Sequence, residues 1–169
     1  MRKYLLHVLI ISFVFLLAPT AQVASHAGEI ENAKERVRNN PDDADAHLNL
    51  GTAYGELGKW KESIKSFKQA LRIDPDYAKA HYNLGTAYHN TGKYKDAIES
   101  YKQAIKIDPD DARAHNNLGC AYNKTGKHKK AIESHKQVIR KRKLLIKYLE
   151  IFMVIDYNTA DSVMQILSG

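Results

Sequence analysis

Apolar positions divide the chain into three stretches. Residues 5–18 (LLHVLIISFVFLLA) are almost wholly apolar, residues 44 to about 139 carry a helical pattern that recurs, and ten of the twelve residues in 144–155 are apolar again. In the recurring part, the segments AHLNLGTAYGELG (46–58), AHYNLGTAYHNTG (80–92) and AHNNLGCAYNKTG (114–126) each predict one helix. Gly58, Gly92 and Gly126 are placed to end these helices in the left-handed conformation that glycine adopts without strain. A second helix then begins near Lys59, Lys93 and Lys127. The first two of these stop at Asp74-Pro75 and Asp108-Pro109, because proline has no N–H to continue the ladder.

Aligning residues 44–77 with 78–111 gives 21 identities in 34, and aligning 78–111 with 112–145 gives 19, all before Arg140. Leu50-Gly51-x-x-Tyr54, Leu84-Gly85-x-x-Tyr88 and Leu118-Gly119-x-x-Tyr122 recur at that period. Ala97 and Ala131, with Ser63 in the first copy, hold the small position of the second helix. Phe67 and Tyr101 hold its aromatic position, and Ala70 and Ala104 follow. This helix–turn–helix period resembles the tetratricopeptide repeat family. The third copy departs from the pattern, with His135 in the aromatic place, Val138 for alanine and Lys143 for the terminal proline, so its second helix need not stop there. His47, His81 and His115 stand beside the core where the family has an aromatic, and are read as packing residues.

The resemblance implies an all-α fold, a short right-handed superhelical solenoid of repeats at 44–77, 78–111 and 112–145. Residues 28–43 form a capping half-repeat ending at Asn40-Pro41, and 146–169 a C-terminal helical extension. It also implies that function lies on the concave face lined by the first helix of each repeat. One residue before each core leucine stand Asn49, Asn83 and Asn117, where family members carry an asparagine ladder that hydrogen-bonds the backbone of an extended peptide. A primary amide both donates and accepts, so it can pair with a peptide unit whatever its side chains are. The competing reading is that these asparagines join neighbouring helices.

Three amide contacts at about 1 kcal/mol net each supply roughly 3 kcal/mol, less than association costs, so flanking side chains must add to them. Asp45, Leu48, Thr52 and Glu56 flank the ladder in the first copy, Lys79, Tyr82, Thr86, His89 and Asn90 in the second, and Arg113, Asn116, Cys120, Asn123 and Lys124 in the third. Family members that clamp a C-terminal carboxylate do so with a lysine and an asparagine where this chain has Leu48 and Thr52, which speaks against that role.

Charge changes the picture at the C-terminal end. Of 169 residues, 26 are Lys or Arg and 19 Asp or Glu, a net +7. Residues 28–111 carry 13 basic and 15 acidic side chains, but 112–147 carry 11 basic against Glu133 alone. Lys136, Arg140, Lys141, Arg142, Lys143 and Lys147 concentrate this charge, either as a solvated helix face or as a site for an anionic surface. The apolar run 144–155 that overlaps it is too greasy for a terminal cap. The expected arrangement folds it back over the last repeat, with 159–167 as a short closing helix. The alternative is dimerisation, or contact with an anionic membrane surface.

The start of the chain, with Met1, Arg2 and Lys3 before the apolar run and Ser25-His26-Ala27 after it, has the layout of a signal peptide. A run of 14 residues falls short of the roughly 20 that span a bilayer. Cleavage near residue 27 is therefore expected, with a periplasmic or extracellular mature chain. An uncut segment 5–18 would instead anchor it to the membrane. The single cysteine, Cys120, excludes an internal disulfide framework.

Taken together, these features predict a non-catalytic protein-interaction scaffold with no cofactor, metal or small-molecule substrate, binding a partner's peptide in its groove. Nucleic acid is the poorer partner, since no aromatics interleave Arg140 to Lys143 as stacking platforms.

Overall fold

The structure is a computed structural model that describes residues 28–140 and 143–149. The signal-like segment 1–27, Lys141, Arg142, residues 150–155 and the expected closing helix at 159–167 lie outside the described residues. Every regular element within them is a helix: α1 (28–39), α2 (Ala44–Glu56), α3 (Trp60–Ile73), α4 (Ala78–Asn90), α5 (Tyr94–Ile107), α6 (Ala112–Lys124) and α7 (128–140), with a further helical stretch at 143–149. The chain divides into two compact units, one ending at Asp110 and the other beginning at Asp111.

Local chemistry sets the ends of these helices. Before α2 the Asp43 carboxylate accepts from the N–H groups of Asp45 (2.8 Å) and Ala46 (3.2 Å). Before α6 Asp111 accepts likewise from Arg113 (2.8 Å) and Ala114 (3.3 Å), satisfying donors that have no partner within the helix. Burial works to raise the Asp111 carboxyl, but these bonds and the Arg113 side chain outweigh it and hold the group below the usual carboxylate range. At the other ends Gly58, Gly92 and Gly126 take φ of 68°, 74° and 72°. The next residue's N–H then reaches back to a tyrosine carbonyl, Lys59 to Tyr54, Lys93 to Tyr88 and Lys127 to Tyr122, at 2.9 Å each time. That is the Schellman closure, built three times from one sequence pattern.

Within the first unit, α2 packs on α3, α3 on α4, and α4 on α5. The first and second helices of a repeat come into close contact at a glycine. A Cβ added to Gly51 would lie 2.6 Å from the Phe67 ring, and one added to Gly85 would lie 2.7 Å from the ring of Tyr101. Phe67 and Tyr101 are buried beneath that contact. Ser63, at the small position, is buried as well and donates its hydroxyl to the Gly51 carbonyl at 2.7 Å. Two apolar clusters knit the unit together. Ile30 and Ala33 of α1 pack with Leu50 and Ala53 of α2, so the half-repeat covers the outer side of the first repeat. Leu48, Phe67 and Ala70 pack with Ala80, Leu84 and Ala87.

The recurrent histidines do more than pack. His47 Nε2–H donates to the Pro41 carbonyl and His81 Nε2–H to that of Pro75, both at 2.9 Å. Each half-buried ring ties the first helix of a repeat to the turn that precedes it. An aromatic hydrocarbon at this place could pack there but could not make that bond.

In the second unit His135 of α7 occupies the aromatic position. Its ring lies over Gly119, 2.6 Å from where a Cβ would stand, so the third pair closes as the others do, around a half-buried imidazole. Ala131, Ser134 and Val138 give α7 its buried side. With lysine in place of proline at 143, residues 143–149 are helical. Leu144, Leu145, Ile146, Tyr148 and Leu149 are 55–72% exposed there. The expected fold-back does not cover this described part of the apolar run.

These contacts set the cost of filling the glycine positions. Gly85→Ala gains up to about 1 kcal/mol in helix propensity, yet it presses a methyl group into a buried ring that has no space to move, an overpacking cost of about 1–3 kcal/mol. The expected result in urea denaturation is a net destabilisation, with a smaller one for Gly119→Ala, where the half-buried His135 ring can yield. Equal midpoints for Gly85→Ala and wild type would refute this account of the close approach.

Candidate functional site

Two neighbouring recesses open on one face of the first unit. One, of about 250 Å³, is lined by Glu29, Asn32, Ala33 and Arg36 of α1 with Asn49, Thr52, Ala53 and Glu56 of α2. The other, of about 310 Å³, is lined by Thr52, Gly55 and Glu56 of α2, by Trp60, Ser63 and Phe67 of α3, and by Asn83 and Thr86 of α4. Thr52 and Glu56 border both. A shift of 34 residues carries Glu29, Ala33, Asn49 and Thr52 onto Ser63, Phe67, Asn83 and Thr86, so the two recesses are the same place in successive repeats. The first is small-floored and charged, with Glu29, Arg36 and Glu56 at its edges. The second has the aromatic floor of Trp60 and Phe67.

Of the residues singled out from sequence, Asn49, Thr52, Asn83 and Thr86 are thus brought together. Their hydrogen bonding differs. The Thr52 hydroxyl donates to the Leu48 carbonyl (3.0 Å), and that of Thr86 donates to Tyr82 O (3.1 Å) while accepting from the Tyr101 hydroxyl (3.3 Å). Both threonines are therefore engaged with the protein itself, as hydroxyls within helices often are. Asn49 is exposed and Asn83 half-buried, and among the described residues neither side-chain amide makes an intramolecular hydrogen bond.

Other candidates sit elsewhere. Leu48 is 1% exposed and belongs to the core cluster with Phe67 and Leu84, so it is not a groove residue. It lies on the side of α2 that faces α3 and α4, one residue round the helix from Asn49. Asp45 accepts a hydrogen bond from the Tyr77 hydroxyl and so ties α2 to the residue before α4. Tyr82 rests against Tyr101, ring centroids 6.0 Å apart. His89 meets the edge of Tyr94 at 5.2 Å. Asn90 is exposed and donates to Thr86 O at 2.9 Å, and Lys79 is an exposed cation in the first turn of α4.

In the second unit Asn117 is half-buried on α6. Asn116 accepts from His135 Nδ1–H at 3.2 Å, Arg113 pairs with Asp111 at 3.2 Å, and Asn123 accepts from His128 Nδ1–H at 3.2 Å. Lys124 and Cys120 are exposed. Of the basic cluster, Lys136, Arg140, Lys143 and Lys147 are described and all are exposed. Arg140, Lys143 and Lys147 line a recess of about 430 Å³ with Gln137 and Leu144.

Sequence reasoning missed Asn32, Arg36, Trp60, Ser63 and Phe67 as recess residues. The signal that could have found them is the repeat register itself, which sets α1 in phase with α3 and so makes the capping helix a wall of the first recess.

Comparison with known proteins agrees with this geometry. The family model described as TPR repeat matches residues 51–92 and 87–126, and that described as tetratricopeptide repeat matches 112–142. The chain belongs to the tetratricopeptide repeat family. Among solved structures it is similar to one described as the crystal structure of MamA, at 29% identity over 76% of this chain and 75% of that one, with a TM-score of 0.70. A second, described as the crystal structure of MamA protein, is 29% identical over 76% and 70% with a TM-score of 0.69. A third, described as a MamA RS-1 ArsTM double mutant, shares the fold at 21% identity over 74% and 70%, with a TM-score of 0.68. No curated protein sequence matches the chain significantly. The all-helical tetratricopeptide repeat solenoid is a scaffold for protein–protein interaction, and this chain has that fold.

The Tyr77–Asp45 bond generates a pH prediction. Donation to Asp45, then partial burial and the neighbouring carboxylates, push the Tyr77 phenol up to about 12, from an ordinary value of about 10. A raised pKa favours the protonated form in the folded state. The bond's contribution to stability is therefore complete below about pH 10 and lost as pH rises through about 12. Ultraviolet titration should show Tyr77 ionising late, and an earlier ionisation of that phenol in Asp45→Asn. An unchanged titration curve in that variant would show that the bond does not hold the phenol.

Proposed function

We propose that the face formed by α1, α2 and α4 holds an extended peptide segment of a partner protein. The observation that carries the reading is the pair of unengaged amides, Asn49 and Asn83, at the same place in consecutive repeats, each lining a recess. An asparagine whose task was to join neighbouring helices would have its amide hydrogen-bonded to a helix. A peptide backbone offers each amide an acceptor and a donor, and its side chains enter the recesses between them.

The two recesses suggest what kind of peptide. Trp60 and Phe67 favour an apolar or aromatic side chain, worth about 1.5–3 kcal/mol when fully buried. Glu56, on the border of both recesses, favours a basic residue beside it. That burial adds to the roughly 2 kcal/mol from two amides and lifts the total towards a usable affinity. Asn117 stands at the equivalent position of the third repeat. Export through the signal-like start would place this activity in the cell envelope.

The test is binding of the full chain to a broad peptide array, with an Asn49→Ala, Asn83→Ala double variant of unchanged helicity beside it. At about 1 kcal/mol for each amide the double variant should bind roughly 30-fold more weakly, with selected peptides carrying an apolar residue next to a basic one. Equal binding by both proteins would sink the amide ladder.

A further inference from the structure

The second unit carries a surface that the peptide groove does not use. Lys136 and Arg140 stand four apart on α7, and Lys143 and Lys147 four apart in the helical stretch 143–149, which keeps each pair on one side of its helix. On α7 that side is opposite the buried Ala131, Ser134 and Val138. Arg140, Lys143 and Lys147 share the 430 Å³ recess with Leu144, which is 68% exposed. Exposed apolar residues accompany the cations in both stretches, Ile132 and Ile139 on α7, 56% and 54% exposed, and Ile146 in 143–149, 55% exposed. The one carboxylate among the described residues of 128–149, Glu133, accepts a hydrogen bond from Gln137.

We infer that the exposed sides of α7 and of 143–149, which meet at that recess, bind an anionic phospholipid bilayer in the plane of the interface. The isoleucines and Leu144 enter the boundary between headgroups and acyl chains, and the lysine and arginine stems reach up to the lipid phosphates. Charge complementarity selects the occupant. A second copy would present the same cations and be repelled, whereas a duplex nucleic acid would take the cations but leave the isoleucines in water. An anionic bilayer satisfies both sets at once. Each basic residue near such a surface strengthens partitioning about fivefold, so four of them separate anionic from neutral lipid by about two to three orders of magnitude.

The experiment is sedimentation of the full chain with phosphatidylcholine vesicles and with vesicles containing 30% phosphatidylglycerol. Wild type is compared with Lys136→Gln, Arg140→Gln, Lys143→Gln, Lys147→Gln and with Ile139→Ser, Ile146→Ser. All six positions are exposed, so helicity should be unchanged. The apolar segment 5–18 is common to all three proteins and cannot create a difference between them. Expected are preferential binding of wild type to the anionic vesicles, a loss of at least a hundredfold in the charge variant, and a clear loss in the isoleucine variant. Binding that ignores lipid charge, or an unaltered charge variant, overturns the inference. So does an isoleucine variant that binds as wild type does, and so does a wild type that binds duplex DNA but not the anionic vesicles.

Discussion

The approach of an aromatic ring to a glycine backbone is the contact on which the rest of the structure depends. At Gly51 and Gly85 the missing Cβ leaves the space that Phe67 and Tyr101 fill, and the two helices of a repeat come close together there. With the rings seated, Ala70, Ala80 and Ala87 come into contact with Leu48 and Leu84, and one repeat is packed on the next. His135 shows how much of this is shape. An imidazole fills the same place over Gly119, and its polar edge turns to Asn116.

That close approach constrains direction as well as distance. Once one side of each first helix is committed to its glycine and leucine, the residue just before the leucine faces away from the partner helix. Asn49 and Asn83 are the residues so placed, and their recesses are related by the same shift of 34 as the helices themselves. The turn histidines add a second restraint, because a ring bonded to the preceding proline carbonyl fixes how each first helix leaves its turn. A binding face thus arises as a by-product of repeat packing, with its specificity set by equivalent positions that carry different side chains in successive repeats, such as Glu29 against Ser63 and Ala33 against Phe67.

The C-terminal end obeys a different rule. The earlier second helices stop at a proline, but the third has lysine there and helix is present again at 143–149. Lys136 and Arg140 repeat the exposed Lys102 and Lys106 of α5 and Lys68 and Arg72 of α3, whereas the cations and apolar residues of 143–149 lie past the point where the earlier second helices stop. The asymmetry between a near-neutral body and a basic end is a matter of surface composition, which a repeat scaffold tolerates because each repeat rests mainly on its neighbours.

Much of this protein was legible in the sequence because its determinants are local. Left-handed glycines, proline stops, the leucine–glycine–tyrosine spacing and the 34-residue period each act within one or two helices, so they dictate helix limits and pairing without knowledge of distant contacts. The asparagine positions followed from the same register. What only tertiary structure decided was how side chains on the same helix divide their work. Leu48 went to the core, Asp45 to Tyr77, the threonine hydroxyls to their own helices and the histidines to proline carbonyls, leaving Asn49 and Asn83 unengaged. Those choices turn on distances between residues far apart in sequence, such as Asp45 and Tyr77, 32 apart, and on rotamers that the packing of a neighbouring helix selects. A one-dimensional pattern contains neither.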